Sequence, residues 1–374
     1  MSRTVMIGMS GGVDSSVAAY LLKEQGYNVV GVTMRLCESF VQSYDAENVR
    51  LAKSVADKLG IDFMALSYED EFRDFVVNPF IETYEKGMTP NPCIECNRCI
   101  KFDMLMNDSD EGYERDVANV PLVATGHYAI IEGPENCDAA RALSDYPSAL
   151  GRYKLKKSSN LEKDQSYFLY TLSQETLARV IFPLGDMDKN KVREIAEANG
   201  LVNAKRKDSQ DICFIPDGDY AGFIKGVTGK DYPAGNFVDK DGNILGRHKG
   251  IINYTLGQRK GLGLALKKPM YVWKLDMDKN EVVLADNEDL FTTELTATNV
   301  NWLSMANPGT GNSFRALGRI RYRHKESPCT VTPCDDGTLQ IIFDEPQRAI
   351  TAGQSLVLYD IGSASYVLGG GTII

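Results

Sequence analysis

The chain has 374 residues, 43% of them hydrophobic and 25% charged, the make-up of a folded globular protein of two or three domains and not of a disordered one. It contains no apolar run of about 18 residues, so no membrane span is expected. The net charge of -10 speaks weakly against a nucleic-acid partner, but a local basic face suffices, and such clusters exist at 205–207, 247–249 and 319–325.

In chain order, residues 4 to 9 (TVMIGM) have the continuous apolar character of a buried parallel strand. Residues 15 to 25 read as a helix ended by Gly26, 29 to 34 as a second strand, 45 to 59 as a helix capped at Gly60, and 61 to 66 as a third strand. Helical segments near 70 to 86 and 94 to 107 precede a strand at 121 to 125. The alternation predicts an α/β fold with a doubly wound parallel sheet. Residues 132 to 160 lack a clear period and read as a surface insertion, followed by helices near 165 to 179 and 188 to 199. Beyond about residue 217 glycine and proline become dense, and from 271 short alternating stretches appear, with Asp335-Asp336-Gly337 as a hairpin turn between two of them. The expected organisation is a catalytic domain over 1–217, a small β-rich central domain over 218–285 and a C-terminal β-barrel over 286–374.

The N-terminal apolar stretch is too short for a signal-peptide core and lacks a small-residue cleavage site, so a cytoplasmic location is expected. The eight cysteines (Cys37, Cys93, Cys96, Cys99, Cys137, Cys213, Cys329 and Cys334) are then expected to be reduced. Reactive or metal-binding thiols become the question.

Gly8-Met9-Ser10-Gly11-Gly12-Val13-Asp14-Ser15 sits where the first strand turns into the first helix. Glycines there tolerate positive φ and let the backbone approach a ligand. Successive amides and the helix N-terminus together make a nest for a phosphate chain. Ser10, Ser15 and Ser16 add hydroxyls, and Asp14 would either orient the loop or hold a magnesium ion. The Gly-Lys-Ser/Thr of the common phosphate loop is absent, as is the dinucleotide Gly-x-Gly-x-x-Gly. A tight turn with a serine N-cap is the plain alternative. The segment resembles the loop of the pyrophosphate-loop ATPases, which grip the β,γ-pyrophosphate and transfer AMP to a substrate oxygen. That loop does not choose among their substrates.

A second motif, TPNPCIECNRCIKF from Thr89 to Phe102, has readable mechanics. Pro92 drives Asn91 out of helical space, making Asn91 an N-cap and Pro92 the first helical residue. Thiols in the first turns of that helix, with Arg98 and Lys101 nearby, tend toward thiolate. On these grounds alone Cys93, nearest the helix end, is the expected low-pKa nucleophile. Cys93, Cys96 and Cys99 fall three apart on roughly one helix face, so zinc or an iron–sulfur cluster held with Cys213 is an alternative. A third motif, Lys207 to Ile215, places Cys213 after a polar turn.

These two motifs, with GMSGGVDSSVAA, ATGHY, KDQSYFLYTL, YTLGQRKGLG and RIRYRH, resemble the bacterial tRNA-specific 2-thiouridylases in order and spacing over nearly the whole chain. The main exception is an insertion at about 132 to 155. The resemblance implies an adenine nucleotide alpha hydrolase-like N-terminal domain and ATP-dependent adenylation of O2 of the tRNA wobble uridine, with release of pyrophosphate. It implies that a sulfur-relay protein delivers a persulfide sulfur to Cys213, and that this sulfur attacks C2 and displaces AMP. The cysteine matching Cys96 either releases the sulfur through a disulfide with Cys213 or attacks in its own right. ATP contacts are implied at Gly8, Met9, Ser10, Gly11, Gly12, Val13, Asp14, Ser15, Met34 and Gly126. Contacts with tRNA are implied at Asn91, Pro92 and Cys93, which would face the target base, at His127, Lys163, Asp164 and Gln165, and at Arg321, Tyr322 and Gln354 of the barrel. ATP and magnesium are the implied cofactors, tRNA and a persulfide donor the partners, and a monomer without a resident metal the expected state. An extruded base suits an enzyme that acts on bases, and a basic barrel suits phosphate contact.

Cys93 stands where many relatives carry aspartate, and Cys99 is unusual beside Arg98. His248 and His324 read as surface side chains, whereas His127 follows a strand at the sheet edge where ligands bind in open α/β folds. Cys37, Cys137, Cys329 and Cys334 read as bystanders, with a Cys329–Cys334 disulfide left open. Arg319, Arg321 and Arg323 would share one face of a strand. Two rival classes stand beside the thiolase reading. One is an amide-forming synthetase of the same superfamily, which gives Cys96 and Cys213 no role. The other is an RNA-binding module that uses ATP only as a structural or regulatory ligand.

Overall fold

The computed structural model describes residues 3–41, 44–110, 121–134, 152–206 and 212–374. Its N-terminal domain is built on five parallel strands. These are β1 (Thr4–Gly8), β2 (Asn28–Arg35), β3 (Asp62–Ser67) and β4 (Leu122–Ala124), then, after a hairpin of β5 (Ala129–Glu132) and β6 (Lys154–Lys157), β7 (Val180–Ile181). The order across the sheet is β3-β2-β1-β4-β7.

The unbroken apolar run of β1 follows from burial on both sides. Val5 and Ile7 pack with α1 (Val13–Glu24) and α2 (Tyr44–Leu59) on one face, and Met6 packs with Ile94, Phe102 and Leu105 on the other. A strand covered on both faces has no polar side to show. The strand order reverses between β1 and β4, and the turns leaving these two strands meet at that point, where open α/β sheets bind ligands.

The helices expected near 70 to 86 and 94 to 107 exist, but each contains a π-helical stretch, Arg73–Val77 and Cys96–Met104. Nothing in the sequence announced this wider winding, which recurs at functional sites.

The central region holds a four-stranded sheet of β8 (Asn236–Val238), β9 (Ile244–Arg247), β10 (Tyr271–Asp276) and β11 (Glu281–Ala285) in the order β10-β11-β8-β9. The C-terminal region is a closed barrel of β12 (Phe291–Trp302), β13 (Phe314–Arg319), β14 (Ser327–Pro333), β15 (Leu339–Arg348), β16 (Ser355–Tyr359) and β17 (Val367–Ile373). Gly337, at φ 80°, makes the expected turn between β14 and β15. One expectation fails here: β13 ends at Arg319 and residues 320–324 form a turn, so Arg319, Arg321 and Arg323 do not line a strand face. Cys329 and Cys334 are both free thiols.

The barrel is docked on the segment that leads into the cysteine motif. Thr89 N donates to Ala352 O at 2.9 Å, and Gln354 Nε2 donates to Thr89 O at 2.9 Å and Pro90 O at 3.3 Å. Residues 135–151, with Cys137 and most of the insertion, and residues 207–211 of the third motif lie outside the described residues. Among the described residues no helix is long and apolar enough to cross a membrane.

Candidate active site

The glycine loop is shaped as its residues require. Gly11 sits at φ 70°, and a Cβ there would lie 2.9 Å from Asn48 O. Ser10 N donates to Ser15 Oγ at 3.2 Å, while Ser15 Oγ and Ser16 Oγ donate to Gly12 O at 3.1 and 3.0 Å. Gly12 is the N-cap of α1 and brings no side chain to its first-turn amides, as an anion site needs. Gly126 leaves β4 so close to α1 that a Cβ would stand 2.8 Å from Ser15 N. Met9 N donates to Val32 O at 2.7 Å, and Met34, two residues further along β2, is half-buried.

Asp14 is held by partners that its own segment does not reveal. Lys189 Nζ donates to its two carboxylate oxygens at 2.7 and 2.8 Å, and Tyr128 Oη donates to Oδ1 at 2.7 Å. Both oxygens of the carboxylate are thus tied by charge-assisted contacts to residues far along the chain. Asn203 Nδ2 donates to Gly11 O and Ser16 Oγ, both at 2.8 Å, and Arg206 Nη1 donates to Gly11 O at 3.1 Å. Sequence reasoning missed Lys189, Asn203 and Arg206. The chain separation is nearly two hundred residues, and an isolated lysine on an amphipathic helix looks like a surface cation.

The cysteine helix starts as expected, with Asn91 at the N-cap and Pro92 first, although the Asn91 side chain makes no capping bond. Cys93 is exposed as a residue, whereas Cys96 and Cys99, in the π-helical part, are buried. Among the described residues no three His, Cys, Asp or Glu side chains converge to hold a metal ion.

The expected order of thiol acidity is overturned. Desolvation pushes Cys96 up to about 12, Lys101 opposing and the thiols of Cys213, Cys93 and Cys99 adding to the rise. Cys93 is raised as well, by the desolvating walls around it and by Cys213, against Lys101. Cys99 is raised by burial against Arg98. The cations are also partly engaged elsewhere, Arg98 with Glu95 at 2.7 Å and Lys101 with Asn97 Oδ1 at 2.9 Å. Two short helical turns with these cations therefore do not offset burial.

The thiol held below its usual range is Cys213. The largest cause is a hydrogen bond from Cys37, which together with Lys101 and the Phe214 N–H outweighs desolvation and Asp45. Cys37 is correspondingly driven up. Its sulfur, 3.9 Å from Asp45 Oδ1, is buried. Cys37, Cys96 and Cys99 belong to one buried cluster, against which Cys213 packs.

Of the remaining expected residues, Asp164 and Tyr322 join the catalytic domain to the barrel, and His127, Gln165 and Arg321 make contacts within their own domains. His127 is buried between the rings of Phe102 and Phe182, its Nδ1 2.7 Å from Thr125 Oγ1, and burial holds its pKa well below the usual histidine value. Asp164 is buried and accepts from Ser158 N, Ser166 N and Ser166 Oγ at 3.0, 3.2 and 2.9 Å. Gln165 Oε1 accepts from Tyr128 N at 3.0 Å, and Tyr322 Oη donates to Asp164 O at 3.1 Å. Arg321 Nη1 donates to Arg348 O at 3.1 Å, and Lys163 is half-buried beside this group. His248, expected at the surface, is buried. Its Nδ1 accepts from Gly235 N and Gly250 N at 3.3 and 3.1 Å. A separate cavity of about 320 Å³, lined by Glu85, Tyr232, Pro233, Ile251, Met277 and Asn280, contains none of the motif residues.

Comparison with known families and proteins gives matches across this architecture. The tRNA methyl transferase HUP domain family matches residues 3–217, the tRNA methyl transferase PRC-barrel domain residues 221–286, and the aminomethyltransferase beta-barrel domain residues 292–373. The chain is 47% identical over 381 residues to the tRNA-specific 2-thiouridylase MnmA of Clostridioides difficile, covering 100% of this chain and 98% of the relative. It is 45% identical over 381 residues to the protein of that name from Acetivibrio thermocellus, covering 99% of each. The solved NMN synthetase of Francisella tularensis is 15% identical, at a TM-score of 0.33 over 62% of this chain and 79% of that one, a likeness too distant to build on. At the identity of the first two relatives, over the full length of both chains, this chain belongs to the tRNA-specific 2-thiouridylase family.

Proposed function

We propose that the chain is a tRNA-uridine 2-sulfurtransferase, which uses ATP to replace O2 of the tRNA wobble uridine with sulfur. The observation that carries this reading is that Cys96, buried in the cysteine helix, and Cys213, more than a hundred residues later, meet at one hydrophobic cluster between the loop-bearing domain and the central sheet.

In this reading the loop from Gly8 to Ser15 cradles the phosphates of ATP, with Met34 and Gly126 beside the nucleotide. Magnesium enters with the phosphates of ATP. The uridine O2 attacks the α-phosphorus, and pyrophosphate leaves. The terminal sulfur of a persulfide on Cys213 then attacks C2, and AMP leaves with the oxygen. Cys96, after losing its proton, attacks Cys213 Sγ. The S–S bond to the transferred sulfur breaks, 2-thiouridine departs, and a Cys96–Cys213 disulfide remains for an external thiol reductant to open. A thiol raised by burial suits this last role, because it stays silent until the adduct forms.

Asn91, Pro92 and Cys93 would face the extruded base. His127, Lys163, Asp164, Gln165, Arg321, Tyr322 and Gln354 would shape the RNA-facing surface. The same reading takes the enzyme as a cytoplasmic monomer that receives its sulfur from a persulfide relay protein, with catalytic, central and barrel domains at 1–217, 218–285 and 286–374.

The test is an anaerobic assay with unmodified tRNA, ATP and a persulfide donor, comparing the parent with Cys96→Ser and Cys213→Ser. Both variants should lose 2-thiouridine formation while keeping tRNA-dependent pyrophosphate release. Full thiolation by both would defeat the reading and favour a synthetase in which the thiols have no part.

A further inference from the structure

The peptide between Gly11 and Gly12 is free to face either way, because glycine on both sides removes the Cβ contacts that would fix it. The chain fixes it from outside. The helix Lys189–Ala198, which carries the lysine that grips Asp14, stops at Gly200, at φ 57°. Leu201 and Ala204 then bury in the same cluster as Val13 and Val17 of α1. A turn closed by Arg206 N, donating to Asn203 O at 2.9 Å, brings the side chains of Asn203 and Arg206 to the loop.

Asn203 is 3% exposed. Its Nδ2 donates to Gly11 O and Ser16 Oγ, both at 2.8 Å, and Ser16 Oγ donates in turn to Gly12 O at 3.0 Å. Both carbonyls of the glycine pair thus trace back to one buried amide. Gly11 O can only accept, so the NH2 end of Asn203 is the end that faces it. Arg206 reaches the same oxygen through Nη1 at 3.1 Å and braces against Asn48 Oδ1 through Nη2 at 3.0 Å. In a trans peptide the C=O and N–H point to opposite sides. With Gly11 O drawn toward Asn203 and Arg206, the Gly12 N–H is turned the other way, where it meets the exposed Ser10 hydroxyl at 3.4 Å. A flip of this peptide would set a carbonyl where a phosphate needs a donor.

We infer that Asn203 is a positioning residue for the nucleotide: it locks the Gly11–Gly12 peptide with its N–H toward the β,γ-pyrophosphate of ATP, and Arg206 supports the lock. This rests on the reading of the loop as the phosphate cradle. Neither side chain makes or breaks a bond of the substrate. They order the loop donors in advance, so that binding does not have to. The effect is therefore confined to ligands that carry the pyrophosphate.

The experiment titrates ATP with magnesium, and separately AMP, into the full-length protein and its Asn203→Leu and Arg206→Met variants by calorimetry. Leucine keeps the volume of Asn203 and has no donor. AMP lacks the β,γ-pyrophosphate. The Kd for ATP should rise about tenfold in Asn203→Leu and by a smaller factor in Arg206→Met, where the Asn203 amide still holds Gly11 O. The Kd for AMP should stay where it is in both. Unchanged ATP affinity in a folded Asn203→Leu protein overturns the proposal. An equal loss for ATP and AMP overturns it too, because that is the mark of a general packing role. If Asn203→Leu shows no melting transition, unchanged ATP affinity in Arg206→Met overturns it instead. The cradle reading fails by a different result, and takes this inference with it, if the parent protein binds ATP no more tightly than AMP.

Discussion

Lys189 grips Asp14 through both carboxylate oxygens, at 2.7 and 2.8 Å, and so ties the glycine loop to a helix 175 residues further along the chain. The Lys189 side chain is only 10% exposed and that of Asp14 30%, so the pair is partly shielded from water. Lys189→Met should remove a charge-assisted contact of about 1.5–3 kcal/mol, and the exposure of Asp14 favours the lower end. The expected loss in kcat/KM for ATP, read as tRNA-dependent pyrophosphate release, is roughly tenfold or more. Unchanged kinetics would show that the clamp does not set the loop.

Gly126→Ala tests the meeting of the two turns at the sheet's switch point. Its Cβ would fall 2.8 Å from Ser15 N and 3.0 Å from Asp14 C, backbone atoms that cannot rotate away. Overpacking of this kind costs about 1–3 kcal/mol, so Tm should drop by about 5 °C and ATP binding should weaken. Gly226→Ala is the control, because a Cβ there meets nothing within 4 Å and its helix gains from alanine. Calorimetry on both proteins separates the effects.

His127 predicts an acid limb in stability. Burial depresses its folded pKa well below the usual value of about 6.5, so the folded ring stays neutral where an unfolded one takes up a proton. Its contribution is complete above the unfolded pKa and declines as pH falls below it, because the unfolded state binds more protons there. Melting temperature should therefore decrease from pH 7 toward pH 5. In His127→Gln that slope should flatten, although the lost contacts with Phe102 and Phe182 lower Tm at every pH. An identical slope in the variant would remove His127 as its source.

Gln354 couples the barrel to the cysteine motif through Thr89 O and Pro90 O. Gln354→Ala leaves both carbonyls without their amide donor, at a cost of about 1–2 kcal/mol. kcat/KM for tRNA should fall several-fold with ATP affinity unchanged, as read by thiolation kinetics and calorimetric titration of ATP. Equal losses for both substrates would mean that the contact supports the whole fold.

Much of this architecture was legible where one local rule dominates. The apolar run of β1 and the glycines behind it have few other structural uses, and Asn91-Pro92 marks a helix start by backbone sterics. Rules failed where tertiary contact outweighed them. Cys93 has the helix position of an acidic thiol, but its surroundings desolvate it. Arg319 to Arg323 alternates like a strand but turns after Arg319. Cys37 looked idle because its partner, Asp45, meets it only in the folded chain.

The decisive observation concerns Cys213 as the carrier of sulfur. Protein loaded with radiolabelled persulfide on Cys213 would be freed of excess donor and mixed anaerobically with unmodified tRNA and ATP. The label should pass to the wobble uridine in a single turnover, with AMP and pyrophosphate released in equal amounts, and Cys213→Ser protein treated in the same way should transfer none. Equal labelling of tRNA by the Cys213→Ser protein would contradict the mechanism.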